Sequence, residues 1–340
     1  MSKLTQGKVG RERLKELLGR IAGKRVLVIG DVGVDRYTTG SVERISPEAP
    51  VPIVLVEEEK LKLGLAANVA DNVQALGGTP LLVGVIGRDR AGQDFKKLLR
   101  SCRIGATYLV TDPRRRTVLK ERIVSERQQL LRVDYETQAG VGGKAQRECL
   151  AQVKRLLPRA HAVVIEDYAK GLLSGDFAAR LWKTLAASGK VLACDPNAKS
   201  EPSIYRGAHV LTPNTKEAER LSGVAIHDED SLLEAGRALL KATGARHIVI
   251  TRGKDGMAIF SSGERQVQMI PTFAREVYDV SGAGDTVIAT LTLALSAGAT
   301  IVEAAMLGNV AAGIEVGKRG TATVSPEEIM AALDDPRLVV

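Results

Sequence analysis

The chain is 340 residues long, with an ordinary apolar share of 44% and only 3% aromatics, so a core of Val, Leu, Ile and Ala is expected. That length suits one large α/β domain or two of usual size. Forty-eight basic against 40 acidic residues leave a net charge of +8, which favours anionic ligands; the basic residues are scattered and lack aromatic interleaving, which argues for small phosphorylated ligands over nucleic acid.

In chain order, residues 9–22 place Val9, Leu14, Leu17, Leu18 and Ile21 at helical spacing. "RVLVIGD" (25–31) is then a continuous apolar run closed by Gly and Asp, the pattern of a parallel strand buried on both faces. Like runs follow at 81–87, 162–167, 191–196, 209–214 and 247–253. Helical patterns at 66–76, 91–101, 143–156, 175–188, 215–221 and 230–242 separate most of them. Strand and helix in alternation predict a mostly parallel sheet covered on both sides. Its ligands would sit beyond the carboxyl ends of the strands, where several runs end in Asp or Asn. Residues 36–63 and 106–135 break the alternation with period-two patterns and no helix between. These predict antiparallel strands that pair with one another as a small β lid on a single 1–340 domain. Cys102, Cys149 and Cys194 are far apart and read as free thiols of a reducing compartment. The N-terminus has no signal-peptide core, and no apolar run approaches ~20 residues, so a cytoplasmic protein without a membrane span is expected.

The chemistry concentrates in "VYDVSGAGDTVIATLTLALSAG" (277–298). It matches neither a P-loop nor GxGxxG, and the protein-kinase signatures are missing. Yet small residues at a helix start let an anion approach the unpaired N–H groups and the positive dipole end. A carboxylate at Asp285 would repel that anion unless its task is to take a proton from an attacking hydroxyl. The plainer alternative is a helix capped by Ser281 with Asp285 complementing its dipole. "GLAANVADNVQALGG" (64–78) begins another helix with small residues; either it packs tightly on the sheet, or the Gly64 backbone and Asn68 amide hold substrate hydroxyls. Asp31 and Asp35 in "GDVGVDRY" suit either a polyol or a turn.

Together, "GLAANVADNVQALGG" and "DVSGAGDTVIAT" resemble the two signature regions of the ribokinase-like (PfkB) carbohydrate kinases, and "RISPEAPVPIV", "RQQLLRVDYE", "EDYAKGLL", "LTPNTKEAE" and "GTATVSP" are similar to its heptose 7-phosphate 1-kinase branch. The similarity spans about 25 to 335. One departure is Leu65, where the family usually has a second glycine and where a side chain would narrow or redirect the sugar pocket. The resemblance implies a ribokinase-like fold and an ATP- and Mg2+-dependent kinase, in some relatives aided by K+. Asp285 would be the base, with Gly282, Ala283 and Gly284 as the anion hole. Asn214, Thr215, Lys216 and Glu217 would reach the ATP phosphates, Glu217 meeting their magnesium indirectly. Thr251, Gly253, Gly256 and Asn309 would line the nucleotide side. Asp31, Asp35, Gly64 and Asn68 would hold sugar hydroxyls, Lys170 would lie near the transferring phosphate, and Asp279 would contribute to a monovalent-cation site. For a substrate that already carries a phosphate, Arg44, Lys120, Arg122, Arg127 and Arg132 are the candidate ligands, arginine's planar fork suiting a phosphate dianion. The implied product feeds ADP-heptose and lipopolysaccharide core synthesis. No nucleotidyltransferase motif of HxGH type is present, so a functional link to a separate heptose-1-phosphate adenylyltransferase is expected, as is a homodimer through exposed lid strands such as 51–56. The rivals are a kinase of an unphosphorylated hexose or pentose and a catalytically inactive nucleotide- or sugar-binding relative.

Overall fold

The computed structural model describes residues 4–125, 128–274, 277–318 and 322–335. In chain order the elements are β1 (Leu4–Gln6), α1 (Arg11–Arg20), β2 (Arg25–Gly30), β3 (Val32–Ile45), β4 (Pro52–Leu65), α2 (Ala66–Ala75), β5 (Thr79–Val83), β6 (Val85–Ile86), α3 (Arg90–Ser101), β7 (Val110–Thr111), β8 (Val118–Ser125) and β9 (Gln128–Tyr135). There follow α4 (Gly143–Leu156), β10 (Ala162–Glu166), α5 (Gly175–Ala186), β11 (Val191–Asp195), β12 (Val210–Leu211), α6 (Thr215–Ser222), α7 (Glu229–Thr243), β13 (His247–Thr251), β14 (Met257–Ser261), β15 (Val267–Ile270), α8 (Ala283–Ser296), α9 (Ile301–Glu315) and α10 (Pro326–Asp334). No helix among the described residues is long and apolar enough to cross a membrane.

Nine strands form one sheet in the order β1-β15-β14-β13-β12-β11-β10-β2-β5. Its middle is parallel, as the apolar runs require, while β14 is antiparallel to both β13 and β15. The apolar runs are continuous because both faces are buried. Val26 and Val28 enter one core, with Ile288 and Leu291 of α8; Leu27 and Ile29 enter the other, with Phe177 and Leu181 of α5. Each such side chain removed from water contributes roughly 1.5–3 kcal/mol. Helix α8 is buried continuously from Asp285 to Ala294, which explains a segment with no charge after its first turn.

The second sheet is the lid, in the order β4-β3-β8-β9. Each hairpin is antiparallel, but β3 and β8, which join them, run parallel. This corrects the expectation of antiparallel pairing throughout. A second correction concerns 106–135. Its first part leaves the lid, and Val110–Thr111 pairs in parallel with Val85–Ile86 in a two-stranded sheet. The 81–87 run is likewise split between β5 and β6. All three cysteines are free, with Cys149 and Cys194 buried.

Candidate active site

Helix α8 starts at Gly282, whose φ of 99° belongs to the left-handed region, and no side chain caps it. Ser281 therefore does not cap, and the plainer reading of this helix start loses its cap. Glycine is needed at 282 for its backbone, but not at 284 for either conformation or packing. A Cβ built on Gly284 would meet only Asp195 Oδ2, at 3.9 Å. The absent side chain instead leaves the first-turn N–H groups open to an anion.

Asp285 follows, with 8% of its surface exposed. Its Oδ2 accepts from Asn68 Nδ2 at 2.6 Å and its Oδ1 from the Tyr168 hydroxyl at 2.8 Å. Burial raises its pKa to about 6, against the lowering effect of those two bonds and of Lys120. The group is thus ionised at neutral pH yet far more basic than a surface aspartate, as a general base requires. Asn68 reaches it from the first turn of α2, and Thr286 Oγ1 donates to Asn72 Oδ1 one turn deeper, so the two signature helices are locked together. Leu65 precedes α2 with φ 60°, a strained value for leucine. Its side chain is buried, with Cδ1 3.2 Å from where a Gly33 Cβ would stand.

On one side of Asp285 lies a cavity of about 470 Å3, lined by Asn214, Thr251, Gly253, Gly256, Ala283, Gly284 and Asn309 together with apolar Val280, Val287 and Val316. That size and mixed lining suit a nucleotide. Gly256 is fixed by its φ of 75° and by the Ile270 carbonyl, which a Cβ would strike. Asn309 donates to the Pro271 carbonyl at 2.8 Å. Asn214 and Glu217 form a reciprocal capping box at the start of α6. Thr215 bonds the Thr251 carbonyl at 3.4 Å, and Lys216 is exposed. Thr215, Lys216 and Glu217 do not line the cavity.

On the other side, β8 presents Lys120 and Arg122 on one face. Lys120 stands 5.4 Å from the Tyr168 ring centre, and burial lowers its pKa. Lys170, Arg122 and Arg132 all act on Lys120 electrostatically, so four cations share this end of the cleft. Each also has a protein partner. Arg122 pairs with Asp35 at 2.8 Å and lies over Tyr37, Arg132 pairs with Asp134 at 2.9 Å, and Lys170 with Glu136 at 2.5 Å. Gly64 leaves room for Asp35: a Cβ there would come 2.9 Å from Asp35 Oδ2. Asp31 is occupied by the loop after β10, accepting the Lys170 and Leu172 N–H groups at 2.9 and 3.3 Å. Arg44 is not part of the cluster. It lies nine residues beyond Asp35 on β3, roughly 30 Å along the strand, and Arg127 falls outside the described residues. Asp279 accepts the Ser281 N–H at 2.9 Å in the turn before α8, and the N–H groups of Tyr278 and Asp279 both donate to the Val316 carbonyl.

Three contributors were not singled out in the sequence: Tyr168, Glu166 and Asp195. Each of Glu166, Asp195 and Asp285 brings a carboxylate oxygen within 4.8 Å of the other two. Hard oxygens in such a set fit magnesium or a similar divalent ion. Their signal in the sequence was only that two strands end in an acid.

The chain is a carbohydrate kinase. Residues 24–328 match the model of the pfkB family carbohydrate kinases, and the chain belongs to that family, whose members are phosphotransferases acting on a sugar hydroxyl. It is 42% identical over 320 residues to the bifunctional protein HldE of Paramagnetospirillum magneticum, covering 94% of this chain and 65% of that protein. To the HldE of Alkalilimnicola ehrlichii it is 45% identical over 311 residues, covering 92% and 64%. The chain thus spans about 65% of the length of such curated relatives. Among solved structures, the ribokinase of Arabidopsis thaliana complexed with ribose and ATP superposes with a TM-score of 0.72 at 18% identity, covering 92% of this chain and 99% of that one. Phosphofructokinase-2 of Escherichia coli in complex with potassium gives 0.75 at 17%, covering 92% and 98%. These two establish the shared ribokinase-like fold.

Proposed function

We propose that the chain transfers the γ-phosphoryl group of ATP to the anomeric hydroxyl of D-glycero-β-D-manno-heptose 7-phosphate. The product would be the 1,7-bisphosphate, a precursor of ADP-heptose for lipopolysaccharide core, passed on to a heptose-1-phosphate adenylyltransferase activity. The observation that carries this reading is the placement of Asp285 between the cavity on one side and the Lys120, Arg122, Arg132 and Lys170 group on the other. A sugar phosphate bound with its phosphate among these cations would present its far end to Asp285. Similarity to HldE proteins supports the heptose assignment.

In this mechanism Asp285 gives up its bond from Tyr168 or Asn68 and accepts the proton of the sugar hydroxyl. The open N–H group of Gly284, and that of Ala283 once it gives up its 3.4 Å bond to the Val280 carbonyl, stabilise the phosphoryl oxygens in line with the attack. Magnesium bound with ATP would neutralise phosphate charge, with the Glu166, Asp195 and Asp285 carboxylates and, indirectly, Glu217 at the start of α6 the candidates to hold it. Asp279, tied beside the end of α9, is the candidate for a monovalent cation such as K+. The lid also suggests a homodimer. Its edge strand β4 exposes Leu55 and Val56, and its tip exposes Ile45 and Val51, an apolar edge of the kind that pairs with another strand.

The test is to identify the product. The enzyme should consume ATP with heptose 7-phosphate, and 31P NMR should show a new phosphate on the anomeric carbon. Turnover only with unphosphorylated hexoses or pentoses would replace this reading with the generic sugar-kinase one. Binding of both ligands with no turnover would point to an inactive relative.

A further inference from the structure

We propose that the Tyr168 hydroxyl is a built-in stand-in for the sugar hydroxyl: it holds an oxygen of Asp285 until the sugar displaces it, and so restrains transfer of the ATP γ-phosphoryl group to water. This role rests on Asp285 being the base of the kinase reaction. Tyr168 donates to Asp285 Oδ1 at 2.8 Å, the donor type and the reach that a general base needs from its substrate. Asn68 takes Oδ2 at 2.6 Å. Each oxygen keeps a further lone pair, but only 8% of the Asp285 surface is open. A hydroxyl that enters therefore has to take the place of a donor already there. The phenol itself is inert as a nucleophile. Burial and the acids Asp285, Glu166 and Asp195 raise its pKa, so it stays protonated and remains a donor.

Of the two donors, Tyr168 is the one free to yield. Asn68 is buried in the first turn of α2, its carbonyl accepts from Asn72 Nδ2 at 3.0 Å, and Asn72 is bonded in turn by Thr286 of α8. Moving it would disturb both helices. Tyr168 lies in the turn after β10 and is only partly buried. The backbone beyond it is fixed. Asp167 accepts the Ala169 N–H, Asp31 accepts the Lys170 N–H, and the buried Arg115 guanidinium donates to the Ala139 and Lys170 carbonyls at 2.5 and 2.6 Å. Ala169 is held there at a φ of 52°, which a residue with a side chain keeps only where its surroundings over-determine it. Rotation about the Tyr168 side-chain bonds is the movement left. With the phenol away, a water at Oδ1 would pass its proton to Asp285 as its oxygen bonds the γ-phosphorus. The bond from that phosphorus to the bridging oxygen would break, releasing ADP and inorganic phosphate.

The test is Tyr168→Phe, which removes the hydroxyl and keeps the ring beside Lys120. ATP hydrolysis without sugar, followed as phosphate release, should rise roughly tenfold or more over wild type, and adding Asp285→Asn should abolish the rise. The bond from Tyr168 lowers the Asp285 pKa, which stands at about 6. Its loss raises that pKa, so the acidic limb of kcat/KM against pH with heptose 7-phosphate should move to higher pH. Lys120 and Asp35 of the lid, Glu166 and Asp195 at the ends of β10 and β11, and Glu315 of α9 also face Asp285, and all are unchanged in the variant. Hydrolysis at the wild-type rate, a rise that survives Asp285→Asn, or an acidic limb that stays in place would overturn the proposal. Asp285→Asn alone separates it from the base assignment. Transfer to sugar within tenfold of wild type removes both, whereas lost transfer there with unchanged hydrolysis in Tyr168→Phe removes only the stand-in.

Discussion

The basin over the central sheet and the lid above it handle charge in opposite ways. In the basin, Glu166, Asp195 and Asp285 converge at strand and helix ends, and most of their surroundings are buried. Their pKa values rise because water is excluded and, for Glu166 and Asp195, because the neighbours are acids. In the lid, Arg122 and Arg132 sit on strands whose tips and edges are open to solvent, and each is already paired with an aspartate. Chemistry that needs a tuned proton acceptor belongs to the first environment. Recognition of a ligand that can displace an existing partner, most readily at the exposed Arg132–Asp134 pair, belongs to the second.

If that division holds, losses in the basin should be large and independent of which sugar is offered. Asp285→Asn should cut kcat by roughly 10²–10⁴-fold with ATP binding intact, measured by steady-state kinetics and calorimetry. Activity within tenfold of wild type would reduce Asp285 to a helix-dipole partner.

Glu315 tests basin electrostatics through stability alone. It is fully buried at the end of α9, and burial raises its pKa from the ordinary 4.5 to about 7. Because the folded value is the higher one, its contribution is fully present below pH 4.5 and is lost as pH rises to 7. Glu315→Gln, which cannot ionise, should match wild type near pH 5. At pH 8 it should be more stable by on the order of 2–3 kcal/mol, at roughly 1.4 kcal/mol per unit. Chemical denaturation at the two pH values measures this. An equal offset at both would mean that the carboxyl is ionised throughout.

Lid variants should be smaller in effect and selective. Arg122→Ala, at a half-buried position, should lower kcat/KM for heptose 7-phosphate about ten- to a hundredfold without changing the KM for ATP. Arg132→Ala, half exposed beside Asp134, should cost only a few-fold. If Arg132→Ala proves the more damaging, the phosphate sits further out on β9 than the Lys120–Arg122 face.

The parts of this arrangement that depend on local backbone could be read from the sequence. "SGAGD" and "GLAAN" announced helix starts without bulk, and both now flank one carboxylate. Continuous apolar runs marked the doubly covered strands. What stayed hidden depends on which strands become neighbours. Glu166 and Asp195 looked like ordinary polar strand endings until register placed them side by side. The parallel β3–β8 junction was missed because period-two patterns favour hairpins between adjacent segments, whereas this pairing joins two hairpins across helices α2 and α3. Capping is the other blind spot. Asn214 and Glu217 satisfy a helix start in this structure, a role that the same residue types would advertise with or without a nucleotide.

The most direct measurement is the ratio of kcat/KM for heptose 7-phosphate to that for the unphosphorylated heptose in the wild-type enzyme. One desolvated arginine–phosphate contact is worth roughly ten- to a hundredfold, so a ratio of at least that size, carried mainly by KM, is expected. Equal values for the two sugars would contradict a lid that binds the substrate phosphate.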